Sequence, residues 1–131
     1  MYYLFIHDDA KADLLAIREM DKPTAARFLV LLQELRNSQD LMDRLTQHDY
    51  GAYGTEDFHV TKWFEQWNKG NDLWRLKYWE LEHGEQRYRV VYAFIPSLHH
   101  YHVLGVVPRE FNYEPNHDLT KRILDAYKDL Q

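Results

Sequence analysis

Apolar residues recur at three- and four-residue spacing through the first third of the chain and at two-residue spacing from about residue 73. Helices are therefore predicted first and strands afterwards. Tyr2 to Ile6, an aromatic and β-branched run that meets a polar stop at His7-Asp8-Asp9, reads as a short leading strand. Asp8 or Asp9 is placed to cap a helix whose Ala10, Leu14 and Ile17 share one face. Asp21-Lys22 breaks it, and Pro23 suits the first turn of a second helix. There Phe28, Leu31, Leu32 and Leu35 form the buried stripe, with Arg27 and Glu34 outside, and Gln39 to Leu45 adds one or two further turns. The pattern predicts two antiparallel helices joined by a tight turn.

Residues 46–57 have two glycines and no apolar stripe, so they read as the long loop. Phe58 to Val60 can end a strand, and Thr61 can cap a short helix that stops at Gly70. Trp63, Phe64 and Trp67 then fall at helical spacing, which favours core or interface over base stacking. Leu73 to Glu82, Gln86 to Ile95 and Tyr101 to Val107 alternate as three strands, separated by His83-Gly84 and by Pro96-Ser97. Short connections pair them antiparallel. A last helix from about Asn116, entered through Pro115, carries Leu119, Ile123, Ala126 and Leu130 as its stripe, with His117 as a capping neighbour.

Strand parity sorts the side chains. Tyr88, Val90, Tyr92 and Phe94 form a core face, and Tyr101, Val103 and Val107 are expected on the same side. Arg75, Lys77, Arg87, Arg89, His100 and His102 then share the opposite, outward face with Leu104, and Arg109 follows the last strand. The bland account is a solvated sheet face whose cations pair with Glu80, Glu82, Glu85 and Glu110. Glu80 and Glu82 lie on the wrong parity to pair with Arg75 and Lys77 along a regular strand, so a polyanionic ligand is the competing account.

Composition narrows the classes. The 131 residues are 45% hydrophobic and 28% charged, a globular balance sized for a single domain over 1–131. Cysteine is absent, which excludes disulfides, thiolate metal sites and cysteine nucleophiles and suits a reducing cytoplasm. The longest uninterrupted apolar stretch, Val90 to Ile95, is far short of the roughly 20 residues of a membrane helix, and the first ten residues lack a basic leader region. The net charge of −5 argues against a whole-protein nucleic-acid field. It arises in residues 1–61, with 6 basic and 11 acidic side chains, whereas residues 62–131 carry 10 of each. A basic site must therefore be local. His100-x-His102 lacks a third ligand at metal-site spacing, and no phosphate loop, dinucleotide fingerprint or nucleophile elbow occurs. Neither metal nor small-molecule cofactor is expected.

The segments LWRLKYWELEHGEQRYRVVYAF and HYHVLGVVPREFNYEP, followed by a helix ending ILDAYKDL, resemble the RelE/ParE superfamily of type II toxins over roughly residues 73–130. The leading strand and helical hairpin agree with it in order. The resemblance implies an α+β, RelE-like fold with an N-terminal helical hairpin on a small antiparallel sheet and a C-terminal helix. For the RelE-like branch it implies an endonuclease that cuts mRNA on the ribosome, inhibits translation and is restrained by a cognate antitoxin. By position the basic strand pair falls on Arg75 and Lys77, the next strand's arginine on Arg89, and the arginine after the last strand on Arg109. The following tyrosine falls on Tyr113, while Phe111 stands where many members have another basic residue. The stretch 46–70 is longer than in compact members. Arginines suit a pentacoordinate phosphate, and Tyr113, His102 or a Lys77 depressed by like charge suits proton transfer. The alternatives are a ParE-like toxin that binds gyrase without cleaving RNA, and a non-toxic protein-binding module of the same fold.

Overall fold

A computed structural model describes residues 1–84, 86–111 and 113–131. Its elements run β1 (Tyr3–Ile6), α1 (Asp8–Met20), α2 (Lys22–Arg36), α3 (Gln39–Arg44), β2 (Phe58–Lys62), α4 (Phe64–Trp67), β3 (Leu73–Tyr78), β4 (Tyr88–Ile95), β5 (His100–Pro108) and α5 (Asp118–Asp129). The fold is α+β. Among the described residues five strands form one sheet in the order β1-β5-β4-β3-β2. The sheet is mixed rather than antiparallel: β1 joins the β5 edge in parallel, as its long helical connection permits, while the other pairs are antiparallel. No helix among the described residues is long and apolar enough to cross a membrane.

The helix ends follow capping chemistry. His7, rather than Asp8 or Asp9, caps α1, its Nδ1 accepting the Asp9 N–H at 3.0 Å. Both aspartates lie inside the first turn, where carboxylates favour the helix dipole. Asp21 alone separates α1 from α2, capping α2 through the Thr24 N–H and Oγ1 just ahead of Pro23. His117 caps α5 two residues later than the expected start, accepting the Leu119 N–H at 3.0 Å. Thr61 caps nothing because β2 runs on through it to Lys62; α4 instead starts after Trp63.

Phe28, Leu31, Leu32 and Leu35 of α2, with Ala10 and Ile17 of α1, pack on Val60, Trp74, Leu76, Tyr78, Val90, Tyr92, Tyr101, Val103 and Val106. Tyr92 donates from its hydroxyl to the Leu45 carbonyl at 2.7 Å, tying this core to the end of α3.

The opposite sheet face is not simply solvated. The stripe of α5 covers its middle, packing Ile123, Ala126 and Tyr127 on Leu73, Val91, Ala93, Ile95, Leu104 and Val107, with Trp63 and Phe111 closing one end. Leu104 keeps its expected outward side, now under α5, whereas Val107 leaves the core face expected for it, and a bulge is the reason. Val91 pairs with Gly105 and Tyr92 with Val103, so Leu104 is an extra, bulged residue. A bulge inverts the inside–outside alternation beyond it. Val106 therefore faces the helical hairpin, and Leu104 and Val107 face α5.

Two strands are shorter than their patterns. β3 stops at Tyr78 because Trp79–Leu81 turns into a 3-10 helix, anchored by the Trp79 indole N–H donating to the Gly51 carbonyl at 2.9 Å. β4 starts at Tyr88, and Arg87 lies just before it. Glu85 lies outside the described residues.

Candidate functional site

Where α5 leaves the sheet uncovered, the outward face of β2, β3 and β4 forms a cavity of about 280 Å³. His59, Thr61, Arg75, Leu76, Lys77, Arg89, Arg109 and Tyr113 line it. The register explains the convergence. His59 lies opposite Lys77 and Thr61 opposite Arg75 across β2 and β3. Leu76 pairs with Val90, which sets Lys77 beside Arg89 on the same face, and Arg89 pairs with Val107. The Arg109 N–H donates to the Arg87 carbonyl at 2.8 Å, continuing the ladder past β5 and bringing that exposed side chain to the rim.

Each cation is held differently. Arg75 donates from Nε to Thr61 Oγ1 at 3.0 Å, and its guanidinium lies 4.7 Å from the centre of the Tyr113 ring. Lys77 sets its ammonium 4.4 Å from the centre of a Trp79 ring. Arg89 donates from Nη1 to Glu82 Oε2 at 2.9 Å and to its neighbour's carbonyl, that of Tyr88, at 3.0 Å. Glu82 reaches Arg89 because the 3-10 turn redirects the chain, which regular strand parity forbids. Glu80 turns the other way and forks onto Arg27 of α2 with two 2.8 Å bonds. Arg75, Lys77 and Arg109 have no carboxylate within 4.0 Å among the described residues. Among the described residues, Glu82 thus satisfies one of these four cations.

That excess charge acts on Lys77. Burial lowers its pKa first, and the charge of Arg89 lowers it further; Glu82 opposes, while Arg109 and Arg87 add to the depression. Tyr113 responds in the other direction. Burial raises the pKa of its phenol, and the charges of Arg75 and Arg89 pull it part of the way back. Tyr113 adopts a left-handed backbone, φ 61°, with its ring between Trp63 and Phe111 at 5.0 and 4.4 Å between centres. Among the described residues its buried hydroxyl has no hydrogen-bond partner of good geometry, and the Arg75 guanidinium lies against the ring. Asn112, the residue before it, lies outside the described residues.

Arg75, Lys77, Arg89, Arg109 and Tyr113 are thus brought together. Arg87 is half-buried beside the cavity without lining it. His100 and His102 share the sheet face but lie at its far end, opposite Ile95 and Ala93, with the α5 core intervening. There His102 stacks on Phe5 of β1 at 5.1 Å, and burial, then His100 and His7, lower its pKa. Among the described residues no three His, Asp or Glu side chains cluster as metal ligands.

Two polar lining residues fall outside the sequence-derived set: Thr61, read as a helix cap, and His59, in a segment read as a strand end. The signal that locates both is the alternation of Phe58, Val60 and Lys62 with His59 and Thr61 once β2 is paired. Compared with protein-family models, curated proteins and solved structures, the chain matches none.

Proposed function

We propose that the protein is a RelE-like endoribonuclease, a type II toxin that cuts mRNA on the ribosome, inhibits translation and is restrained by a cognate antitoxin protein. The observation that carries this reading is the convergence of Arg75, Lys77, Arg89 and Arg109 on one cavity, three of them without a carboxylate partner among the described residues. A helical hairpin on one sheet face and a C-terminal helix on the other support the RelE-like arrangement.

The chemistry suits these side chains. RNA supplies its own nucleophile, the 2′-hydroxyl, so the protein must hold the phosphate, neutralise the charge that grows on its oxygens and move two protons. Guanidinium groups fork onto phosphate oxygens and keep their charge, which assigns Arg75, Arg89 and Arg109 to the phosphate. Lys77, with its depressed pKa, is the better acid among the cations and protonates the departing 5′-oxygen. Tyr113 packs Arg75 into position from below.

The test is controlled expression in a bacterial host, with protein and DNA synthesis pulse-labelled separately and mRNA 5′ ends mapped. Rapid arrest of protein synthesis with new cuts inside translated codons is expected, abolished by Arg75→Ala combined with Arg109→Ala. Normal translation overturns the reading, and a selective block in DNA synthesis replaces it with the gyrase-binding alternative. One observation favours the non-toxic binding module instead. Leu14, Leu15, Ala25, Ala26 and Leu29 line an open apolar groove of about 450 Å³ between α1 and α2, rimmed by Lys11, Arg18 and Lys22. Harmless expression would favour that module.

A further inference from the structure

We propose that His59, oriented by Asp49, is the general base that takes the proton from the 2′-hydroxyl; this rests on the ribonuclease reading above. His59 lines the cavity on β2, directly across from Lys77, and none of the family-derived positions includes it.

The imidazole is a built feature rather than a loose surface group. Its Nε2 lies 3.2 Å from Asp49 Oδ1, and its ring runs parallel to a Trp79 ring, 1° between planes and 6.0 Å between centres. Asp49 is delivered by the 46–57 loop. Its N–H donates to the Val60 carbonyl at 2.8 Å, and the Val60 N–H donates to the Tyr50 carbonyl at 2.9 Å, clipping the loop to the outer edge of β2. Asp49 adopts a left-handed backbone, φ 67°, to make this contact. The same carboxylate has His48 Nε2 at 3.4 Å from its Oδ2. His48 Nδ1 accepts the Lys62 N–H at 3.0 Å, which assigns the proton of the neutral ring to Nε2.

An ionised carboxylate only accepts hydrogen bonds, so His59 donates from Nε2 to Asp49. Nδ1 then carries the lone pair, the tautomer that accepts a proton, and the carboxylate stabilises the imidazolium that forms. Asp49 acts through His59 and is a positioning residue. Among the described residues, the charged groups that touch His59 or share its cavity are Asp49 from the loop, Arg75 and Lys77 from β3, and Arg89 and Arg109 across the cavity.

The step balances with the protein's own groups. The 2′-hydroxyl proton passes to His59 as the 2′-oxygen bonds to phosphorus. The phosphorus–O5′ bond breaks, and O5′ takes a proton from the Lys77 ammonium. The products are a 2′,3′-cyclic phosphate and a 5′-hydroxyl end, and solvent returns the imidazolium and amine to their starting states.

The test uses the full chain with ribosomes carrying mRNA, measured for single-turnover cleavage across pH and for binding to mRNA made 2′-deoxy at the cut site. His59→Gln is expected to slow cleavage by about 100-fold or more and to remove the acidic limb of the pH–rate profile. Its binding of the 2′-deoxy mRNA should stay within about twofold, the range set by an unchanged phosphate grip. Asp49→Asn should slow cleavage less than His59→Gln and leave binding of the 2′-deoxy mRNA within about twofold. A His59→Gln protein that keeps rate and limb overturns the inference while leaving the ribonuclease reading intact. Parallel loss of binding and cleavage assigns His59 to the fold or to RNA binding and also overturns it. A wild-type chain that cuts nothing overturns the ribonuclease reading itself.

Discussion

Arg122 of α5 forks onto Asp13 of α1, with Nη1 2.9 Å from Oδ1 and Nη2 2.7 Å from Oδ2, joining the helices on opposite faces of the sheet. Asp13 Oδ2 also accepts the Val106 N–H at 2.9 Å, beyond the point where β1 stops pairing with β5 at Val103. A carboxylate thus satisfies a backbone donor at an open strand edge. Gly105 leaves the necessary room, since a Cβ there would lie 2.9 Å from Arg122 Nη2 and 3.4 Å from Asp13 Oδ2.

Asp13→Ala strips partners from both a guanidinium and a strand N–H, so unfolding in urea should show a loss of about 2–3 kcal/mol. Asp13→Asn keeps an acceptor for Val106 and should lose about half as much.

Two buried tyrosines make opposite predictions. Tyr92 donates to the Leu45 carbonyl, so Tyr92→Phe orphans a buried acceptor and should cost about 1–3 kcal/mol. The Tyr78 hydroxyl is buried with no partner among the described residues, so Tyr78→Phe removes a desolvated group and should leave stability unchanged or raised by about 1 kcal/mol. Paired urea titrations check both, and equal losses would show that the hydroxyl contacts do not set the difference.

Burial also sets alkaline behaviour. It raises the phenol pKa of Tyr78, Tyr92 and Tyr101 well above the ordinary value of 10.0. Above about pH 10 the unfolded chain loses these protons while the folded chain keeps them, so the unfolded state binds fewer protons and stability falls as pH rises. Tyrosinate absorbance should therefore include a fraction that appears together with loss of circular dichroism. Full ionisation of every tyrosine while the fold persists would contradict this assignment.

The cavity should take a polyanion before any RNA is identified. About 10 mM pyrophosphate should raise Tm by about 4–6 °C if its Kd is near 1 mM, against a sodium chloride control of equal ionic strength. Arg75→Ala and Arg109→Ala should each remove much of the shift. A bound anion favours the ammonium form of Lys77, whose pKa burial and Arg89 depress, so binding takes up a proton. The shift should fade as pH rises through that lowered pKa.

The helical hairpin and the pairing of Arg75 with Lys77 were legible because both rest on unbroken periods. A 3.6-residue stripe and a two-residue alternation each survive without tertiary help. What escaped the pattern was decided by particular contacts. Leu104 bulges, and one extra residue inverts the parity of Val106 and Val107. Glu82 finds Arg89 only because Trp79 hooks onto Gly51 and turns the chain. His59 belongs to a five-residue strand next to a tryptophan-rich turn, too short for an alternation to be separated from a helix. His102 has the right parity and the wrong end of the strand, a distinction that residue spacing within one strand does not carry.

The bulge at Leu104 has a thermodynamic corollary. Because β5 gives Tyr101, Val103 and Val106 to one core and Leu104 and Val107 to the other, neither helical layer can peel away without exposing a strand that the other still needs. The two hydrophobic clusters are therefore one cooperative unit, and calorimetry should record a single melting transition whose van't Hoff and calorimetric enthalpies agree.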